Sequence, residues 1–198
     1  MDNNVFEELA KRYDTEERMA LANVIVGEVK AELQDSKTKS LIDYGSGTGL
    51  VSLELSALVE SILLVDSSKQ MLEVAKAKIL HRGIPNAKVL YSDFTQETPE
   101  LKADIVLLSL VLLHIPDTNK ILQELFNILN DGGKLIIVDF DKNENIHHPK
   151  VHNGFKHEEL KRKLAQVGFT LIEMKTFYHG EGIFIKQDAS MFKSTSKK

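Results

Sequence analysis

The 198-residue chain has no cysteine and no tryptophan, only four prolines, and no apolar run long enough to cross a membrane. The lack of cysteine excludes disulfides, thiolate metal sites and cysteine nucleophiles together. It also fits a reducing compartment. A membrane-spanning helix needs roughly 20 apolar residues in a row, so no membrane association is expected. The opening stretch MDNNVFEELAKRYDTEER is charged throughout and lacks the apolar centre of a signal peptide. The expectation is a soluble, cytoplasmic protein. Basic residues are not in excess either: 25 stand against 29 acidic ones, for a net charge of −4. A general nucleic-acid binder would carry a basic surplus, so no nucleic-acid partner is expected.

What is present is a core. The chain is 42% hydrophobic, and its length suits one domain at about 100–200 residues each. Residues 1–34 read as helical, with Phe6 and Leu9, then Met19, Leu21, Val24, Ile25 and Val29 at helical spacings. Short apolar runs follow at 41–44, 62–66, 88–91, 104–110 and 134–140. They show little polar alternation, as strands covered on both faces do. Helical patterns at 50–59, 68–80 and 117–130 lie between them. Alternating strand and helix predicts an α/β fold with a mostly parallel sheet. Residues 157–167 read as a further helix, stopped by Gly168. Runs at 169–178 and 183–187 read as an antiparallel pair turning at 179–182, and 193–198 (KSTSKK) as a frayed tail.

The most informative segment is DYGSGTG at 43–49, set between a strand and a helical pattern. Glycines permit tight turns and close approach of a ligand to the backbone, and a helix start offers free N–H groups. A nucleotide-like ligand at the carboxyl edge of the sheet is the natural reading. The dinucleotide fingerprint G-x-G-x-x-G fails, because its third small residue would fall on Leu50. Asp43, two residues before Gly45, would repel a pyrophosphate but suit an ammonium group. Asp66 ends the second strand, 21 residues after Gly45. There it can accept from ribose hydroxyls or act as a helix cap. Asp93 can accept from an adenine amino group or serve the loop alone. Met71 and Phe94 each suit either the core or a wall against the base.

These segments, in this order, resemble a class I S-adenosylmethionine-dependent methyltransferase over roughly residues 5–187. The 43–49 string resembles the family's first motif and Asp66-Ser67-Ser68-Lys69-Gln70-Met71 its ribose-binding acidic motif. Ser92-Asp93-Phe94 resembles the adenine-contacting motif, and 104–115 the fourth strand with its active-site edge. Arg12-Tyr13-Asp14 resembles a segment whose tyrosine closes over the cofactor. The resemblance implies a Rossmann-like, doubly wound, mostly parallel seven-stranded sheet with an antiparallel C-terminal hairpin. It implies S-adenosylmethionine as cofactor and S-adenosylhomocysteine as product. Contacts are implied for Tyr13, Asp43, Gly45, Ser46, Gly47, Gly49, Asp66, Ser67, Met71, Asp93, Phe94 and Leu110. The organisation implied is an N-terminal helical cap at 1–34, a methyltransferase domain at 35–192 and a flexible tail at 193–198.

Exclusion narrows the acceptor. The Asn/Asp-Pro-Pro-Tyr/Phe string of adenine amino methylation is replaced here by Ser109-Leu110-Val111-Leu112. Cytosine C5 methylation needs the missing cysteine. A small-molecule acceptor remains, with direct in-line transfer. His114, after the fourth strand, is the candidate general base or a pocket-lining group. His147, His148, His152 and His157 read as a loop or substrate-facing rim, with no metal site expected. Asp139 and Asp141, flanking Phe140 at a strand end, read as loop caps in preference to an acid–base pair. A non-catalytic module that only holds the cofactor is the alternative.

Overall fold

The computed structural model describes residues 3–149 and 151–198; Met1, Asp2 and Lys150 lie outside them. The chain divides into two compact units, residues 2–99 and 100–198.

The first unit opens with α1 (Asn3–Leu9) and α2 (Glu16–Lys30), joined by a 3₁₀ turn at Ala10–Arg12. Thr15 caps α2 by accepting from the Arg18 amide at 3.3 Å, and Glu16 and Glu17 occupy its first turn, where the helix dipole favours negative charge. Strands β1 (Ser40–Tyr44), β2 (Ser61–Asp66) and β3 (Ala87–Tyr91) follow, parallel, in the order β3-β2-β1. Their register sets Tyr44 beside Val65 and Asp66 beside Tyr91, so the strands end together at one edge. Between β1 and β2 the expected helix is a 3₁₀ segment, Ser52–Leu58. Helix α3 (Lys69–Arg82) packs on β2 and β3 and buries Met71, Leu72 and Ala75. Ser68 caps its start, and Gly83 ends it in the left-handed conformation at φ +61°, a position glycine fills without strain.

The second unit holds β4 (Ala103–Ser109), α4 (Thr118–Ile128), β5 (Leu129–Phe140), α5 (His157–Val167), β6 (Thr170–Phe184) and β7 (Gln187–Lys197). Its strand order is β4-β5-β7-β6. β4 and β5 are parallel, while β7 runs antiparallel to both β5 and β6. Helix α4 buries Ile121, Leu122, Leu125 and Ile128, the spacing of one helical face. Gly168 ends α5 at φ +116°, as its position in the sequence implied. Seven strands in these orders, with an antiparallel β7, make the doubly wound, Rossmann-like class expected.

Two expectations at the C-terminus are corrected. Residues 193–197 are no frayed tail but part of β7, hydrogen-bonded to β5 on one side and β6 on the other. Lys193, Ser194 and Ser196 are all buried, because a strand with neighbours on both sides keeps even short polar residues from solvent. The hairpin turn is not at 179–182 but at Ile185 and Lys186, whose φ values are +51° and +60°. Two successive positive φ values are what a tight two-residue turn between twisted strands demands. The glycines that suggested an earlier turn sit instead at an irregularity between Gly180 and Phe184. Phe184 is kept in the strand by stacking on Phe140, with ring centroids 4.2 Å apart.

No helix among the described residues is long and apolar enough to cross a membrane.

Candidate functional site

The carboxyl ends of β1 and β2 carry the glycine loop. Gly45, Gly47 and Gly49 have φ of +73°, +54° and +76°, so all three use a conformation that side chains disfavour. Gly49 is constrained twice over, since a Cβ there would lie 2.9 Å from Leu53 and Leu64 side-chain atoms. The loop hangs from β2, because the Gly45 and Ser46 amides donate to the Val65 carbonyl at 2.8 and 3.0 Å. Among the described residues, Ser46 Oγ is buried without a hydrogen-bond partner. A buried hydroxyl without a partner is costly and suits a site shaped for a polar ligand.

Asp66 fixes the loop from beneath. Its carboxylate accepts from the Gly47 amide at 2.7 Å and from the Ser68 amide at 2.8 Å. Burial raises its pKa, against the pull of the Gly47, Ser68 and Ser67 amides. Asp43 is 2% exposed. Burial pushes its carboxyl up to about 7, opposed by the Ser52 hydroxyl and reinforced by the Asp66 charge. A buried acid poised to ionise fits an incoming cation. Asp43 and Asp66 are therefore suited to an ammonium group and a ribose diol, the polar handles of S-adenosylmethionine.

The N-terminal segment straps this loop. Tyr13 sits over Gly47, with its Cε1 atom 3.9 Å from where a Cβ would be. The Arg18 guanidinium lies 4.3 Å from the Tyr13 ring centroid and donates to the Tyr13 carbonyl at 3.0 Å. Burial raises the Tyr13 pKa against that cation, so the phenol stays neutral. Asp14 accepts from Thr48 Oγ1 at 2.5 Å and pairs with Lys78 Nζ at 2.5 Å, while Lys78 also donates to the Thr48 carbonyl. Glu7 of α1 accepts from the Lys69 and Gln70 amides at 2.7 and 3.1 Å, capping α3 across 62 residues of chain.

The remaining expected contacts of the first unit lie at the ends of β2 and β3 and in α3. Phe94 is 1% exposed and stacks on Tyr44 at 4.5 Å, which places it in the core. Its amide donates to the Tyr44 hydroxyl at 3.2 Å. Met71 is likewise 1% exposed, inside α3. Asp93 holds its own turn, accepting from the Thr95 amide and hydroxyl at 2.9 and 2.6 Å. Ser67 is buried at the end of β2.

In the second unit, Leu110 follows β4 at φ +56°, and its amide donates to the Val138 carbonyl at 2.8 Å. A leucine held in the left-handed region stores strain, a feature that clusters at functional sites. The next turn, Leu112–His114, is 3₁₀. Asp139, fully buried on β5, accepts from the Phe140 amide at 2.8 Å and the Leu113 amide at 3.1 Å. Burial pushes its pKa up to about 7 against those amides. His152 clasps the same turn from the other side. Its amide donates to the Leu113 carbonyl at 2.8 Å, and its Nε2 lies 2.9 Å from the Ile115 carbonyl. Burial lowers the His114 pKa to about 4, with the His148 charge adding to the effect, so His114 is a neutral imidazole at ordinary pH. Asp141 is no simple cap: it pairs with His157 Nε2 at 2.7 Å and accepts from Thr176 Oγ1 at 2.7 Å.

Glu7, Asp14, Thr48 and Lys78 were missed by sequence reasoning. Asp14 lay within the Arg12-Tyr13-Asp14 string and Thr48 within the 43–49 string, while Glu7 and Lys78 carried no signal.

The sequence matches the family described as "Methyltransferase domain" over residues 35–189, more than half of the chain. It is 30% identical over 108 residues to the ubiquinone/menaquinone biosynthesis C-methyltransferase UbiE of Vibrio campbellii, a match covering 52% of this chain and 41% of that relative. The chain thus spans less than half the length of that relative. Among solved structures, a SAM-dependent methyltransferase from Aquifex aeolicus aligns with a TM-score of 0.72 and 20% identity, covering 100% of this chain and 98% of that one. The Haemonchus contortus phosphoethanolamine N-methyltransferase 2, solved with S-adenosyl-L-methionine, aligns with a TM-score of 0.72 and 14% identity, covering 98% of this chain and 60% of that one. These last two likenesses show the fold. With the family match and the glycine loop's geometry, the chain belongs to the class I S-adenosylmethionine-dependent methyltransferases.

Proposed function

We propose that this protein methylates a small molecule, and that its first unit holds the cofactor through the glycine loop. The observation that carries the reading is the Asp66 carboxylate bound to the Gly47 amide, within a loop whose three glycines all have positive φ. When bound, S-adenosylmethionine supplies a methyl group on an already activated sulfonium, open to in-line displacement that leaves S-adenosylhomocysteine. The protein's own task is binding, orientation and exclusion of water, and positioning of that kind can supply roughly 7–11 kcal/mol.

Asp43 and Ser46 would take the cofactor's amino-acid end, and Gly45, Gly47 and Gly49 would let it approach the backbone. Asp66 and Ser67 would take the ribose, and Tyr13 would cover it. Asp93 would serve the adenine, with Met71 and Phe94 shaping the floor from within the core. Leu110 is carried over from the family pattern as a further cofactor contact. His114, neutral and therefore able to accept a proton, is the group assigned to the acceptor. A base is required only where the acceptor arrives protonated. The UbiE relatives, as quinone-biosynthesis C-methyltransferases, support an acceptor that is a small molecule rather than a macromolecule.

Thermal unfolding with S-adenosylmethionine, S-adenosylhomocysteine or NAD tests this. Ligand at ~100 times its dissociation constant adds about 2.7 kcal/mol, a rise of about 5–11 °C at this size. The two sulfur ligands should raise the midpoint and NAD should not. No response to either sulfur ligand would overturn the reading.

A further inference from the structure

Beyond β5 the chain makes a long excursion closed at its neck. The Lys142 amide donates to the Phe155 carbonyl at 3.0 Å, the Asn143 amide to the Asn153 carbonyl at 2.8 Å, and the Phe155 amide to the Phe140 carbonyl at 3.0 Å. Inside the excursion lies a cavity of about 530 Å³, lined by His147, His148, His152 and Asn153 together with apolar groups that include Ile146 and Val151. Among the described residues its lining contains no carboxylate. The nearest acid along the chain, Glu144, is exposed and stands outside the lining, and Asp141 is already engaged by His157 and Thr176.

The lining groups are set to donate. The His152 Nε2 faces a carbonyl oxygen, that of Ile115, so this nitrogen carries hydrogen. Nδ1 is then the ring's other hydrogen-bonding atom. Lys142 Nζ donates to Asn153 Oδ1, which leaves the amino side of that carboxamide for other acceptors. Three imidazoles could in principle hold a metal, but among the described residues no three His or acidic groups are arranged to do so. Imidazole and carboxamide donors over apolar walls match an anion on an apolar body.

The cavity also adjoins the turn assigned to the acceptor. His152 is bonded to the carbonyls on either side of His114, and the His148 charge is felt at His114. We propose that this groove is the recognition site for the anionic group of the methyl acceptor, a carboxylate or a phosphate monoester attached to an apolar body. The proposal rests on the methyltransferase reading for its role, though not for the binding itself.

The test uses the full chain saturated with S-adenosylhomocysteine, with its histidine ring carbons labelled for NMR at pH 6.5. Benzoate, benzamide and inorganic phosphate are titrated separately. Benzoate should shift the His147, His148 and His152 signals saturably and bind about ten times more tightly than benzamide or better, the margin expected of a charge-assisted hydrogen bond. The double variant His147→Ala/His148→Ala should lose that preference. His179→Ala should keep it, since His179 lies on β6 beside Ser190. Phosphate binding at least as tight as benzoate would assign a phosphorylated acceptor; weaker binding would assign a carboxylate. Equal binding of benzoate and benzamide, or no response at these histidines, would overturn the proposal. Calorimetry of S-adenosylhomocysteine on the same sample separates the two readings. Cofactor binding without a benzoate response sinks only the groove, and absent cofactor binding sinks the methyltransferase reading.

Discussion

The two units deploy polar groups in contrasting ways. Around the glycine loop of the first unit, carboxylates act as braces. Asp66 takes the Gly47 and Ser68 amides, Glu7 takes Lys69 and Gln70, and Asp14 takes Thr48 and Lys78. In the second unit one carboxylate, Asp139, braces the turn after β4. The groups proposed to meet a ligand there are imidazoles and a carboxamide on a loop. A carboxylate accepting several N–H groups fixes backbone directions, which suits a ligand that never changes. Imidazoles carried on a loop can be altered without disturbing the sheet, which suits a ligand that differs between relatives. The contrast is between a braced end, proposed for the cofactor, and a loop-borne end, proposed for the acceptor.

The harshest way to break this contrast is to cut the chain after Phe192. The second unit would lose residues 193–197 of β7, which pair with Lys134 to Val138 of β5 and with Thr170, Glu173, Met174 and Lys175 of β6. Removing half of an internal strand exposes the backbone groups of both neighbours. The expected outcome is loss of cooperative melting followed by circular dichroism. An unchanged melting curve would return these residues to the status of a tail.

Next in size is Asp66→Ala. It removes the proposed ribose acceptor and the Gly47 brace together, and should weaken S-adenosylhomocysteine binding about tenfold or more, on the order of 1.4 kcal/mol. Asp141→Ala, beyond β5, should leave calorimetric cofactor affinity unchanged. Equal losses in both variants would erase the distinction between the two ends.

How far the sequence carried this picture depended on the range of the interaction. The glycine loop, Asp43 and Asp66 were legible because their chemistry lies within a few residues of two strand ends. Helix α5 was legible for the same reason, with acids at its start and Gly168 at its end. Glu7 and Lys78 were not, because their partners lie 62 and 30 residues away and a surface glutamate or lysine has no local mark. Strand β7 was hidden by its composition, since KSTSKK reads as solvated until strands appear on both sides. The hairpin was misplaced because glycines at 180 and 182 mark a strand irregularity, whereas the true turn uses Ile185 and Lys186, residues that rarely take positive φ.

A milder effect concerns pH at the braced end. Asp43 has its carboxyl raised to about 7, so near neutrality the free protein is partly protonated there. A bound ammonium group favours the carboxylate and lowers that pKa, so binding releases a proton. Affinity for S-adenosylmethionine should therefore climb as pH rises through about 7, until an α-amino group near ~7.7–8.0 loses its own charge. Calorimetry from pH 6 to 8 in buffers of different ionisation enthalpy reads that proton directly. Asp43→Asn should abolish the release. Proton release that persists in the variant would move the ammonium site elsewhere.

The smallest effect expected is that of His114→Ala on the cofactor, within about twofold by calorimetry, because a group that touches no cofactor atom should leave that affinity nearly additive with its own loss. Its mark should appear in acid stability instead. The folded pKa of His114 is lowered to about 4 by burial and the His148 charge, against about 6.5 in an unfolded chain. Between these values the unfolded state holds more protons, so this residue's contribution is present above about pH 6.5 and is lost as pH falls toward 4. His114→Ala should flatten the fall of the melting midpoint across that window while sparing the cofactor. A large loss of cofactor affinity would place His114 on the cofactor, and the division between a braced end and a loop-borne end would then fail at the residue meant to define it.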